Sequence, residues 1–148
     1  MKIIVLAGGL STERDVSLSS AAGICRTLVE KGHDAFLLDV FMGLENAPEN
    51  LEDVFTLPDH GLEIVKNIST EEPDLEAVKA SRPDQSDCFF GPNVIELCRL
   101  ADITFLGLHG GEGENGKLQA SFDLLGIKYT GPDSLGCAVA MHKGVAKQ

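Results

Sequence analysis

The sequence contains no tryptophan, one tyrosine and only 12 lysine and arginine residues against 23 aspartates and glutamates, for a formal net charge of −11 at pH 7. A chain so poor in cations and aromatic rings cannot neutralise a phosphate backbone or stack bases, so nucleic acid is not an expected partner. The same deficit argues against docking to an anionic membrane surface. No apolar run approaches the roughly 20 residues that span a bilayer. No basic leader followed by an apolar segment precedes Ile3, so secretion is not expected and the cytoplasm is the expected location. The four cysteines form no C-x-x-C pair, and three of them fall on apolar faces of expected helices, where free thiols act as small hydrophobes. His33, His60, His109 and His142 include no pair at i, i+4 and none beside a cysteine cluster, so no metal site is expected. Also missing are the G-x-G-x-x-G spacing of a dinucleotide fold and the G-K-[ST] ending of a P-loop.

What is present is an alternation of short apolar runs, glycine-rich turns and helical stripes. Ile3 to Ala7 reads as a strand broken by Gly8-Gly9; Leu18, Ala21, Ala22, Cys25, Leu28 and Val29 then recur at helical spacing. Gly32 closes that helix and Ala35 to Val40 supplies a second strand, giving a βαβ unit and hence a parallel sheet. The plan repeats from Ile103 to Leu108, a continuous apolar strand that delivers the segment HGGEGENG, His109 to Gly116, into a helix over Lys117 to Leu125. Leu118, Phe122 and Leu125 make the apolar stripe of that helix. Its amino terminus faces the glycine loop, and free N–H groups there favour an anion. The expected fold is therefore an open α/β sheet, mostly parallel, with helices on both faces.

Between these units, residues 41 to 87 hold twelve of the acidic side chains, three of the basic ones and four of the six prolines. The stretch reads as an irregular insertion whose negative charge forms a solvated surface. Within it, Gly61 to Ile68 alternates as a short exposed strand, and Pro73 to Ala80 suits one or two helical turns. Gly126 to Ser134 reads as a short strand, a turn and a helix start capped by Asp133 or Ser134. No stop signal follows Ala146-Lys147-Gln148, so that helix is expected to continue into further sequence. No internal repeat or low-complexity tract interrupts the pattern.

Two turns carry candidate chemistry. In the first, Glu13 stands close to a helix start, so a carboxylate and N–H donors together suit a small ligand with an ammonium and a carboxylate, as in a free amino acid. The competing reading is that Glu13 and Asp15 merely complement the helix dipole. Arg14 is either exposed or paired with a nearby acid. In the second turn, His109 sits at a strand's carboxyl end, where it serves either as a structural donor to a carbonyl or as a donor to a ligand carboxylate. Glu112 and Glu114 flank Gly113, and the glycines favour a tight turn with solvated charges over a catalytic carboxylate pair. Lys143, taken alone, reads as a surface side chain.

Taken in order, AGGLSTERDVSLSS, LHGGEGENGKLQA and YTGPDSLGCAVAMHKGVAKQ resemble the amino-terminal domain of D-alanine:D-alanine ligases over residues 1 to about 40 and 88 to 148. The resemblance implies a single Rossmann-like domain, residues 1–148, that precedes two ATP-grasp lobes absent from this sequence. It implies a reaction in which ATP, with magnesium, phosphorylates the carboxylate of one D-alanine and the amine of a second displaces phosphate, yielding D-alanyl-D-alanine for peptidoglycan. By the same resemblance Glu13 engages the ammonium of the first D-alanine, the backbone around Val16 and Ser17 lies near that substrate, His109 stands beside it and Lys143 reaches the nucleotide. A homodimer is implied for the parent enzyme, and no metal ligand is implied in this chain. Two departures stand out: Asn115 where the family has G-E-D-G, and His142 where it has M-D-K. The alternative to an inactive fragment of such a ligase is a free-standing amino-acid-binding or regulatory module on the same fold. A stand-alone nucleotide-binding domain is disfavoured by the missing glycine fingerprint.

Overall fold

The structure, a computed structural model, describes residues 1–66, 72–86, 88–108 and 116–130. Its centre is a parallel sheet of β1 (Lys2–Ala7), β2 (Asp34–Asp39) and β3 (Ile103–Leu106) in the order β2-β1-β3. Pairing is in register, with Ile3 beside both Ala35 and Ile103 and Leu6 beside both Leu38 and Leu106. Because successive strand residues point to opposite faces, the continuous apolar runs divide into two sets. Ile3, Val5, Ala7, Ala35 and Leu37 pack on Leu18, Ala21, Ala22 and Cys25 of α1 (Arg14–Glu30).

Ile4, Leu6, Phe36 and Leu38 pack on the opposite layer. That layer contains a 3-10 helix (Leu51–Thr56), a short helix α3 (Val94–Leu100) and the helix Lys117–Leu125, with α2 (Leu75–Ser81) preceding α3 in the chain and Lys117–Leu125 becoming α4. Helices thus cover both faces, as the apolar patterning requires. Phe122, fully buried at the centre of this layer, stacks on Phe90 with ring centroids 6.1 Å apart. Helix α1 ends as the sequence indicates: Gly32 N–H donates to the Val29 carbonyl and His33 N–H to the Leu28 carbonyl, the paired bonds of a Schellman motif.

Four expectations are met or corrected by the structure. The segment from Gly61 is not a strand: Leu62–Val65 forms a 3-10 turn, and His60 and Gly61 take positive φ of 52° and 73°. The physical reason is edge protection. The His60 carbonyl accepts the Leu37 N–H at 2.9 Å, so this turn covers the outer edge of β2. A Cβ on Gly61 would sit 2.2 Å from the Leu37 carbonyl oxygen, so only glycine fits. Residues 67 and 68 lie outside the described residues.

The helical turns expected after Pro73 do form, as α2 with Asp74 accepting the Ala77 N–H. The acidic stretch is nonetheless more than solvated surface, since Val54 and Phe55 enter the core and Arg82 is fully buried. The Gly126 to Thr130 segment runs beside β3 as a single parallel bridge, Thr104 to Tyr129, supported by Thr104 N–H to the Lys128 carbonyl and Thr130 N–H to the Thr104 carbonyl.

Candidate functional site

The strand order creates the site. From central β1 the chain passes through α1 to β2 on one side, while the other neighbour of β1 is β3, reached only later. Helix α1 follows β1 onto one face; α4 follows β3 onto the other. The helices that follow β1 and β3 therefore lie on opposite faces, and the carboxyl edge between such strands is the switch point at which open α/β sheets hold ligands.

The first loop leaves β1 through Gly8 and Gly9, with φ of 79° and 86°. A Cβ on Gly8 would stand 2.7 Å from Asp39 Oδ1, so the carboxylate at the end of β2 occupies the space a side chain would need. Beyond the glycines, Ser11 shapes the approach to α1: its hydroxyl accepts the Glu13 N–H at 3.2 Å and its carbonyl the Arg14 N–H at 3.0 Å. Glu13 is the N-cap of α1, yet its exposed side chain makes no capping hydrogen bond. The carboxylate is thus left for another partner, at the helix end where first-turn N–H groups have no intrahelical acceptor. Val16, on the same turn, is 60% exposed.

Ser17 is completely buried. Its hydroxyl donates to the Gly107 carbonyl at 2.6 Å and accepts the Gly8 N–H at 3.0 Å, and its own N–H donates to the Glu13 carbonyl at 2.9 Å. The residue consequently joins the exits of β1 and β3, and all these groups are engaged within the chain. His109, two positions after Gly107 in sequence, and Lys143 both lie outside the described residues.

Beneath the loop lies a buried ion pair. Arg14 Nη2 bonds Asp39 Oδ2, and Arg14 Nη1 donates to the Gly9 carbonyl at 2.8 Å. Asp39 Oδ1 also accepts the Phe41 N–H at 3.0 Å and the Met42 N–H at 3.3 Å, with the Gly9 N–H at 3.4 Å. Of the two alternatives open for Arg14, pairing holds, but the partner lies 25 residues away in sequence. Asp39 was not apparent as a site residue. The available signal was a carboxylate closing an apolar strand, FLLD, since a buried charge must find a counter-charge.

Cys25 and Cys98 are buried free thiols. Burial pushes them up to about 11 and about 12 respectively, so both stay protonated at neutral pH, unsuited to nucleophilic or ligand roles. Among the described residues, no cluster of three histidine, cysteine or acidic side chains could hold a metal ion.

The strand order, with helices on both faces of the sheet, defines an open parallel α/β domain. The profile described as D-ala D-ala ligase N-terminus matches residues 2–132, and the chain belongs to that family. The D-alanine–D-alanine ligase of Lacticaseibacillus casei (strain BL23) is 46% identical over 148 residues, 100% of this chain and 41% of that protein. That of Pediococcus pentosaceus is 48% identical over 153 residues, 100% of this chain and 42% of that protein. Among solved structures, the D-alanine–D-alanine ligase of Coxiella burnetii matches with a TM-score of 0.57 at 25% identity, covering 99% of this chain and 40% of that one. The Bacillus anthracis ligase complexed with ATP matches with a TM-score of 0.58 at 22% identity, covering 99% of this chain and 35% of that one, a likeness of fold. The chain spans about two-fifths of the length of the curated relatives named here.

Proposed function

We propose that this chain is the substrate-side domain of an ATP-dependent D-alanine:D-alanine ligase that makes D-alanyl-D-alanine for peptidoglycan. The observation that carries this reading is the exposed Glu13 carboxylate, without a capping hydrogen bond at the start of the helix that follows β1, in a chain belonging to this ligase family. Glu13 accepts hydrogen bonds from the ammonium of the first D-alanine, while the open first turn of α1 around Val16 borders that substrate. Ser17 fixes the separation of the two loops. His109 donates to the carboxylate of the bound amino acid, and Lys143 reaches the nucleotide.

ATP is a substrate of this reaction and supplies the phosphoryl group that activates the carboxylate. The magnesium ligands are assigned, on the family resemblance, to the ATP-grasp lobes of the parent enzyme. This domain's part is positional: it presents the ammonium-bearing end of one substrate in a fixed orientation to chemistry occurring elsewhere. No helix among the described residues is long and apolar enough to cross a membrane. We place the enzyme in the cytoplasm and expect a homodimer, with no nucleic acid or membrane partner.

The test is product formation. The complete ligase should release ADP and phosphate only with D-alanine present and should form the dipeptide, whereas the purified 148-residue chain should release no ADP. Magnesium-dependent ADP release by the short chain, or none by the complete protein with D-alanine, would overturn the reading.

A further inference from the structure

We infer that Arg14 and Asp39 are positioning residues whose buried ion pair sets the place of Glu13; the inference rests on the reading of Glu13 as the first-substrate carboxylate. Arg14 is 9% exposed and Asp39 3%. Removing two charges from water is costly, and an apolar pair of similar volume would fasten helix to sheet at least as well. What an apolar pair cannot do is hold the backbone of one residue on both sides by directional bonds. The pair meets Gly9 at both polar groups, Arg14 Nη1 donating to its carbonyl at 2.8 Å and Asp39 Oδ1 facing its N–H at 3.4 Å.

The loop from Gly9 to Arg14 is thereby clamped at both ends, because Arg14 is itself the first residue of α1 and one end of the pair. Glu13 is the residue next to that clamp. Asp39 is immobilised in turn by the Phe41 and Met42 N–H groups, and the far side of this turn is held by Arg82. The guanidinium of Arg82 lies 4.3 Å from the Phe41 ring centroid and donates to the Phe41 carbonyl at 2.9 Å. The exposed pairs Lys66–Glu63 and Lys79–Glu76 show none of this directionality and sit on solvated surface.

The experiment compares Arg14→Met, Arg14→Met with Asp39→Asn, and Glu13→Gln in the complete ligase, reading melting temperature and the kinetic constants for the first D-alanine, the second D-alanine and ATP. Arg14→Met strands a buried carboxylate and lowers the melting temperature; adding Asp39→Asn removes that charge and recovers most of the loss. With the Gly9 clamp still broken, kcat/KM for the first D-alanine should stay down by about 10- to 100-fold, while the constants for the second D-alanine and ATP hold. Recovery of the first-site constant together with melting temperature, or an equal loss at all three substrates, overturns the inference. Where Arg14→Met is too unstable to purify, Arg14→Lys keeps the charge but lacks the second arm of the fork and should show the same first-site loss. A first-site constant unmoved by Glu13→Gln defeats the underlying reading. A first-site kcat/KM lowered by Glu13→Gln but unmoved in the double variant defeats only the positioning role.

Discussion

The Ser17 hydroxyl donates to the Gly107 carbonyl at 2.6 Å across ninety residues of sequence, tying the exit of β1 to the exit of β3. One small side chain thereby holds together the carboxyl ends of two neighbouring strands. The same oxygen accepts the Gly8 N–H, so the glycine turn and the second loop share a single buried anchor.

Ser17→Ala leaves the buried Gly8 N–H without its partner and should destabilise the domain by about 1 to 3 kcal/mol. Urea unfolding gives the number, and a midpoint equal to that of the natural protein would show the two bonds to be dispensable.

Gly8→Ala combines two faults, a left-handed backbone at φ 79° and a Cβ only 2.7 Å from Asp39 Oδ1. Backbone strain of this kind costs about 1 to 3 kcal/mol before the contact with the carboxylate is counted. Gly23→Ala is the control, since nothing lies within 4 Å of its added methyl. Within helix α1 that change should stabilise by about 0.5 to 1 kcal/mol. Thermal melts of the two variants should move in opposite directions, and a shared direction would contradict the geometry.

Alkaline stability should reflect the buried thiols. The Cys25 and Cys98 thiols are raised from the ordinary 9.0 to about 11 and about 12, in both cases chiefly by burial. An acid whose folded value is raised favours the folded state below its unfolded value, and that favour is lost as pH climbs towards the folded value. The stabilisation is therefore complete below about pH 9 and disappears through the range from about 9 to about 12. Unfolding midpoints measured at pH 8 and pH 10.5 should show the decline, and Cys98→Ala should make it shallower. An identical slope in that variant would remove Cys98 from the explanation.

Much of the scaffold is legible in the residues. The expected strand Ile3 to Ala7 and helix Lys117 to Leu125 agree with Lys2–Ala7 and Lys117–Leu125, because apolar period and glycine punctuation act locally. The alternation in Gly61 to Ile68 misleads because it lies on an edge-covering turn: the long-range bond from Leu37 N–H to His60, not local propensity, decides its shape. The place of Glu13 before a helix is legible too, and it is the N-cap of α1. Asp39 escapes notice because its partner, Arg14, becomes its neighbour only when β1 and β2 pair. The acidic residues between 41 and 87 conceal Val54, Phe55 and Arg82, whose burial depends on packing against distant strands.

Steady-state kinetics of Glu13→Gln in the complete ligase bear most directly on whether the β1 loop holds the first substrate's ammonium. Loss of that charged hydrogen bond should weaken first-site D-alanine by about 1 to 3 kcal/mol, a rise of about 5- to 150-fold in its Michaelis constant, with the second site unaffected. An unchanged first-site constant would contradict the assignment of Glu13.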